Sequence, residues 1–292
     1  MSSDMSRWIL PKVARAYLGH FPVEKGKWRV WSRLYPKLRT AGFDAGFCDL
    51  KHGVRMYLEP GQFLDQHCYY WRTWEPDETR VVLRFLRPGD SFVDVGANAG
   101  YFSLLASSEV GPKGHVWAFE PVPPTVEKLR RNLEASSVHN VTVVADAASR
   151  SQGRVSIARQ ESAVSVLNSM RPSSGSVGGW NVNTVRIDDI IPSTESIRMI
   201  KLDAEGAELL ALQGAETHLR KDQAPLLLCE VTDSFLRELG GSAEELWLYL
   251  KGLGYRHAFD CHGGRLKEVA PDVLWTTRQI NVLLTKNKLS DY

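Results

Sequence analysis

The chain has 292 residues, of which 43% are hydrophobic and 24% charged, with a formal net charge of +2. That balance is ordinary for a globular protein and makes no general case for nucleic acid as a partner. Cys48, Cys68, Cys229 and Cys261 lie far apart without C-x-x-C spacing, which argues against structural zinc and a disulfide framework and for a reducing compartment. No run approaches the ~18 apolar residues a membrane span needs. Trp8-Ile9-Leu10 before Pro11 and Lys12 is too short for a signal-peptide core, so a cytoplasmic protein is expected.

Residues 1–55 carry eleven Lys/Arg against four acids, with Trp8, Tyr17, Trp28, Trp31 and Tyr35 interleaved. Such a stretch suits contact with an anionic substrate, a membrane face or a partner subunit. Basic helices packing their aromatics onto the main body account for it too, and the weak periodicity and the prolines favour that reading. Residues 1–74 are therefore taken as an N-terminal extension, and 75–292 as the main domain.

A strand-like run from Gly53 to Leu58 leads to a Pro60-Gly61 turn and a Tyr/Trp-rich segment. Glu75-Pro76-Asp77-Glu78-Thr79 has the proline and acids of a helix start, and the helix should stop at Pro88-Gly89. From there βα alternation argues for a parallel sheet. Strands are expected at 92–95, 116–119, 141–145, 153–158, 184–187, 198–203, 226–231, 255–259 and 279–284. Helices are expected from Tyr101 and over 124–136, 205–219 and 243–253. Residues 161–183, rich in Ser, Gly and Asn, read as a long loop.

The stretch Val93-Asp94-Val95-Gly96-Ala97-Asn98-Ala99-Gly100-Tyr101 is a strand, a glycine-bracketed turn and a helix start, the layout that presents backbone N–H groups to a cofactor. It departs from the dinucleotide fingerprint: Asn98 holds the middle-glycine place, and the Gly96–Gly100 spacing does not fit. Asp94, inside the strand, would repel a diphosphate yet can help hold the ammonium of an amino-acid moiety. S-adenosylmethionine (SAM) carries that ammonium, a sulfonium and no phosphate. A dinucleotide site, or a buried Asp that merely ties the turn together, remains the alternative.

Ligands of open α/β sheets bind beyond the carboxyl ends of the strands. Acids recur there: Asp94, Glu120, Asp146, Asp203 and Glu230. Glu120 is placed to accept from two ribose hydroxyls, in a SAM or an NAD site alike. Asp146 suits the adenine amino group or a cap on the next segment. In Lys201-Leu202-Asp203-Ala204-Glu205-Gly206-Ala207-Glu208, period two puts Lys201 and Asp203 on one strand face. Asp203 is the first candidate for taking a hydroxyl proton, with Lys201 (at a lowered pKa), Glu205 and Glu230 behind it; a lysine–carboxylate pair bracing the strand end is the alternative. Asp203, Glu230 and Asp233 could also converge as hard oxygen ligands, although no metal is assigned.

These runs, with Ala118-Phe119-Glu120-Pro121, Ile200-Lys201-Leu202-Asp203-Ala204-Glu205-Gly206-Ala207-Glu208 and Asn281-Val282-Leu283-Leu284, resemble the FkbM family of SAM-dependent O-methyltransferases over roughly residues 75–286. Leu202 and Ala204 stand where other aliphatics are more usual, which leaves the chemistry untouched. The resemblance implies an α/β class I SAM-methyltransferase (Rossmann-like) sandwich with a mostly parallel seven-stranded sheet, one antiparallel strand and an N-terminal extension. It also implies SAM as cofactor and a hydroxyl of a sugar or secondary metabolite as acceptor. Asp94, Gly96, Ala97, Asn98, Gly100, Tyr101, Glu120, Pro121 and Asp146 would hold the cofactor, with Asp203 near the acceptor. An NAD-linked oxidoreductase and a non-catalytic SAM-binding partner subunit are the rival readings.

Overall fold

Short β-branched runs between glycine turns can hide both faces only inside a sheet covered by helices, and the chain takes that solution. The structure, a computed structural model, describes residues 3–20, 26–41, 43–159, 168–169 and 179–291. The extension folds as α1 (Ser3–His20), α2 (Lys27–Ala41), a hairpin of β1 (Gly46–Asp49) and β2 (Arg55–Leu58), and α3 (Phe63–Trp71). Leu18, Trp31, Leu38, Tyr70 and Trp71 form a small core of their own there. Lys27, buried, donates to the Leu18 carbonyl at 3.0 Å near the end of α1. Trp28, by contrast, is 60% exposed, so not every aromatic of the extension is packed away. No helix among the described residues is long and apolar enough to cross a membrane.

The main sheet begins after α4 (Pro76–Phe85) with β3 (Ser91–Val95), α5 (Tyr101–Val110), β4 (His115–Phe119), α6 (Pro123–Ala135) and β5 (Val141–Val144). Then come β6 (Ala147–Ala148), β7 (Gly153–Arg159), β8 (Asn168–Ser169), β9 (Gly179–Val185) and α7 (Ile187–Ile190). The chain returns through β10 (Ile197–Leu202), α8 (Glu208–Gln213), α9 (Glu216–Leu219), β11 (Leu226–Val231), α10 (Asp233–Glu238) and α11 (Ala243–Gly252). It closes with β12 (His257–Asp260), β13 (Lys267–Val269), α12 (Val273–Thr276) and β14 (Ile280–Thr285).

Eight strands lie in the order β13-β12-β14-β11-β10-β3-β4-β5. β3, β4, β5, β10 and β11 run parallel, and β14 inserts antiparallel between β11 and β12. This is the class I methyltransferase arrangement, with one strand beyond the seven expected. The extra strand, β13, pairs antiparallel with β12 at the sheet edge. Three residues, two of them charged, are too short to show a period, and charge on an edge strand discourages further pairing. The order reverses between β3 and β10, so the ligand crevice opens over their carboxyl ends.

Three expectations need correction. Residues 179–183 belong to β9, not to a loop: Val182 packs with Ile157 of β7, and a β-carbon on Gly179 would sit 2.4 Å from the Ile157 carbonyl. Residues 161–167 and 170–178 of that expected loop lie outside the described residues. Strand β9 ends at Val185, and Ile187 already opens α7. The single helix expected over 205–219 starts only at Glu208, because Glu205 and Gly206 are left-handed, and it breaks at Gly214. There the Gly214 carbonyl accepts from Asp188 N at 2.9 Å, outside the helix, and a β-carbon would stand 2.1 Å from the Ser149 carbonyl. Gly214→Ala is therefore expected to cost about 1–3 kcal/mol of stability through overpacking, measured by urea or thermal denaturation.

Candidate active site

The turn after β3 is shaped by what presses on it. Gly96 has φ +80°, and a β-carbon there would meet the Asp203 carbonyl at 1.9 Å, so only glycine lets the end of β10 come this close. Gly96 N and Ala97 N both donate to the Phe119 carbonyl at 3.0 Å. Asn98, at φ +49°, accepts from Ala99 N on its own Oδ1 at 2.8 Å, the local bond that makes asparagine tolerable in a left-handed position. Its backbone N donates to Glu120 Oε2 at 2.9 Å, and Val122 N donates to Oε1 at 2.9 Å. Glu120 is thus a buried carboxylate aimed by two backbone donors. Burial pushes its carboxyl up to about 7, with the Val122 and Asn98 N–H groups pulling the other way.

Beside the turn three carboxylates converge: Glu75, Asp203 and Glu230 each offer an oxygen within 4.8 Å of the others. Lys201 Nζ donates to Asp203 Oδ2 at 3.2 Å and lies 4.6 Å from the centre of the Phe102 ring. Burial by itself would lower the Lys201 pKa, but Asp203, Glu75 and Asp94 outweigh it and hold the ammonium charged. These surroundings favour a charged lysine over the lysine of lowered pKa expected as a base. Burial, then Asp203, drives the Glu230 carboxyl up to about 8. Burial also raises Glu75 well above the usual range, against the pull of Lys201. The trio has the hard oxygens a divalent cation takes, but the Lys201 ammonium already supplies positive charge at Asp203. Asp233 is not part of it: Ala243 N donates to its Oδ1 at 2.8 Å and Arg237 Nε to its Oδ2 at 2.6 Å, so it caps and braces the α10–α11 corner.

Turn, Glu120 and carboxylate trio face one cleft of about 760 Å³. Every site residue expected from the sequence lines it except Asp94, Gly100 and Asp146. Asp94 is 1% exposed and lies under the floor, accepting from Ser103 Oγ at 2.6 Å and facing Lys201 across the β3–β10 pair. Its Oδ1 is buried and has no hydrogen-bond partner. Gly100 serves the backbone: at φ +92° a β-carbon would clash with Leu129 Cδ1 at 2.4 Å. Asp146 accepts from Asn183 Nδ2 at 3.3 Å, away from the cleft wall. Glu205 lines the cleft at the strand-to-helix corner, where Glu208 Oε1 accepts from Ala204 N at 2.9 Å and Gly206 N at 3.1 Å. Tyr101 Oη is engaged by Thr73 Oγ1 at 2.9 Å and Thr79 Oγ1 at 3.2 Å.

Sequence reasoning missed Trp74, Glu75, Phe63, Asp65, Lys128 and Trp180 on the cleft wall. For Glu75 a signal existed. The residue before a proline is kept out of the helical region, and Glu75 takes φ 38°, ψ 76° ahead of Pro76, which turns it away from α4. The other five carry no local mark, since folding alone brings them here.

A dinucleotide would bring a diphosphate into a cleft that already gathers the Glu75, Asp203 and Glu230 carboxylates. SAM brings a sulfonium and no phosphate, and the turn that Gly96 lets pack against the end of β10 lines the cleft beside those acids. The residues present fit that cofactor. The FkbM methyltransferase domain matches residues 94–257, more than half of the chain. The protein belongs to the FkbM methyltransferase family. Among curated proteins, this FkbM chain is 28% identical over 148 residues to the hexuronic acid methyltransferase AglP of Haloferax volcanii, covering 50% of this chain and 58% of that one. It is 41% identical over 59 residues to a protein-L-isoaspartate O-methyltransferase of Ignicoccus hospitalis, 20% of this chain and 28% of that one. The chain therefore spans well under two thirds of these relatives. A crystal structure of a SAM-dependent O-methyltransferase from Thermotoga maritima aligns with a TM-score of 0.43 at 14% identity, over 83% of this chain and 77% of that one.

The raised Glu230 carboxyl carries a stability consequence. A group whose folded pKa of about 8 exceeds its unfolded value contributes stability below about pH 4.5 that is lost as pH rises through about 8. Glu230→Gln, which cannot ionise, should raise the thermal midpoint over wild type by several degrees at about pH 9 and by little at about pH 4, read by calorimetry across pH.

Proposed function

We propose that this FkbM methyltransferase methylates a neutral hydroxyl oxygen of a sugar or similarly hydroxylated small molecule. The observation that carries the reading is the Glu75–Asp203–Glu230 cluster with its charged lysine, set in the same cleft as the glycine turn. SAM supplies an electrophilic methyl group on a neutral leaving sulfide. An alcohol is a poor nucleophile until its proton leaves, and the Asp203–Glu230 pair is the acceptor for that proton. Burial, then the Asp203 charge, pushes the Glu230 carboxyl up to about 8, close enough to neutral pH for it to exchange a proton there. Lys201 keeps Asp203 oriented. The excess of negative charge disfavours an acceptor that is itself a carboxylate, and the Phe63, Trp74 and Trp180 rings on the cleft wall suit the C–H face of a sugar. The Haloferax relative, a hexuronic acid methyltransferase, supports a sugar acceptor, while the carboxyl group of its sugar supports no choice between hydroxyl and carboxylate as the methylated group.

Glu120 accepts from the ribose hydroxyls with the lone pairs its two backbone donors leave over, and Gly96, Ala97, Asn98, Tyr101 and Pro121 complete the cofactor wall.

Methyl-labelled SAM incubated with neutral glycans, glycosides and uronates should label the neutral hydroxyl compounds; label confined to carboxylates, as methyl esters, would overturn the reading. With the acceptor so found, Asp203→Asn and Glu230→Gln should each lower kcat by about 10²-fold or more while S-adenosylhomocysteine affinity changes little, by stopped assays and calorimetry. Because Glu120 ionises at about 7 in the free protein, S-adenosylhomocysteine affinity should rise with pH through about 7 and then level off. Glu120→Gln should bind about tenfold or more weakly and lose that pH dependence.

A further inference from the structure

Basic helices that buried all their apolar side chains would need no partner, but the extension does not bury them all. Its inner side is settled: Ala14 and Leu18 of α1 and Trp31 and Leu38 of α2 are buried in the small core they share with Tyr70 and Trp71 of α3. Lys27 Nζ, donating to the Leu18 carbonyl at 3.0 Å, joins the start of α2 to the end of α1. The outer side is unusual. Positions 9, 13 and 16 succeed one another along one face of a helix, and on α1 that face points to solvent. Ile9 is 56% and Val13 60% exposed, with Ala16 and Lys12 exposed beside them. On α2, Arg29, Arg33 and Lys37 are exposed four residues apart, and Trp28, 60% exposed, stands directly before Arg29. Ile9, Val13 and Trp28 are three of the five large apolar side chains exposed among the described residues, so these two short helices concentrate what the rest of the surface avoids.

Charge is concentrated in the same place. Together α1 and α2 hold eight Lys and Arg against one acid, Asp4, whereas the whole chain holds 36 against 34. Everything outside the two helices is therefore net negative. An anionic surface attracts this end of the molecule and repels the remainder, which fixes the orientation of approach. A nucleic acid would satisfy the arginines but leave Ile9 and Val13 in water, since aliphatic side chains gain nothing from a phosphate backbone. A bilayer answers both needs: anionic headgroups meet the basic stripe, while the aliphatic pair and the Trp28 ring enter the interfacial layer. We propose that α1 and α2 form a docking face for an anionic lipid bilayer, held at its surface and reversibly. No described residue of either helix lines the cleft, so the docking face is independent of cofactor and acceptor.

The test sediments the full chain with vesicles of phosphatidylcholine, alone or with about one third phosphatidylglycerol. It uses wild type, Ile9→Ser/Val13→Ser and Arg29→Ser/Arg33→Ser. All four side chains are exposed, so both variants should keep the wild-type thermal midpoint. Wild type should partition about tenfold or more strongly into the anionic vesicles, a preference that shrinks as salt rises from about 0.05 to about 0.5 M. The aliphatic variant should bind those vesicles about tenfold more weakly, and the arginine variant about twentyfold more weakly. Wild type that stays in solution with anionic vesicles would overturn the proposal. Full binding by the aliphatic variant, or a duplex oligonucleotide held as strongly as the vesicles, would overturn it as well, because the face would then select any polyanion rather than a bilayer.

Discussion

Everything at the working edge of the sheet depends on one buried ammonium. Lys201 is 4% exposed, and taking such a charge out of water costs several kcal/mol unless opposite charges surround it. Asp203 meets it at 3.2 Å, Asp94 faces it from the neighbouring strand, and Glu75 closes in from the loop before α4. The dependence is mutual. The Lys201 ammonium offsets part of the repulsion among Glu75, Asp203 and Glu230, whose oxygens lie within 4.8 Å of one another, and the raised Glu75 and Glu230 carboxyls relieve the rest by holding protons. Lys201 is thus the counter-ion that lets a group of acids stay poised beside the cofactor, rather than a base itself.

The second constraint is steric. Gly96 lies so close to the end of β10 that the cofactor turn and the Asp203 corner are one packed unit. Backbone bonds from Gly96 and Ala97 to Phe119, and from Asn98 to Glu120, tie that unit to the end of β4. Three stretches far apart in the chain are therefore held in fixed relation by hydrogen bonds that leave little slack. The opposite wall is of another kind. It comes from the extension, from α6 and from β9, parts that carry no motif.

Much of this was legible before any folding. Continuous apolar runs placed β3, β4, β10 and β11 within a residue or two, because parallel strands buried on both faces must be apolar throughout, and the antiparallel β14, buried likewise, fell as close. The departure of Asn98 from a dinucleotide loop, and the acids at successive strand ends, pointed to the cofactor for reasons of charge alone. Where local reading failed, a tertiary contact had overruled it. Gly214 breaks a helix because Asp188 claims its carbonyl, and residues 179–183 form a strand because β7 is there to pair with.

The sequence by itself determined the sheet, its glycine turn and the acids at the strand ends, since these follow from periodicity, backbone sterics and charge within short stretches of chain. Only the tertiary structure decided what those acids can do. It withdrew Asp94 beneath the floor, kept Lys201 charged, brought Glu75 in beside Asp203, and set Asp65 against Lys128 across the cleft. The reason is physical: ionisation and reach depend on burial and on neighbours distant in the chain, and neither is written in any one segment.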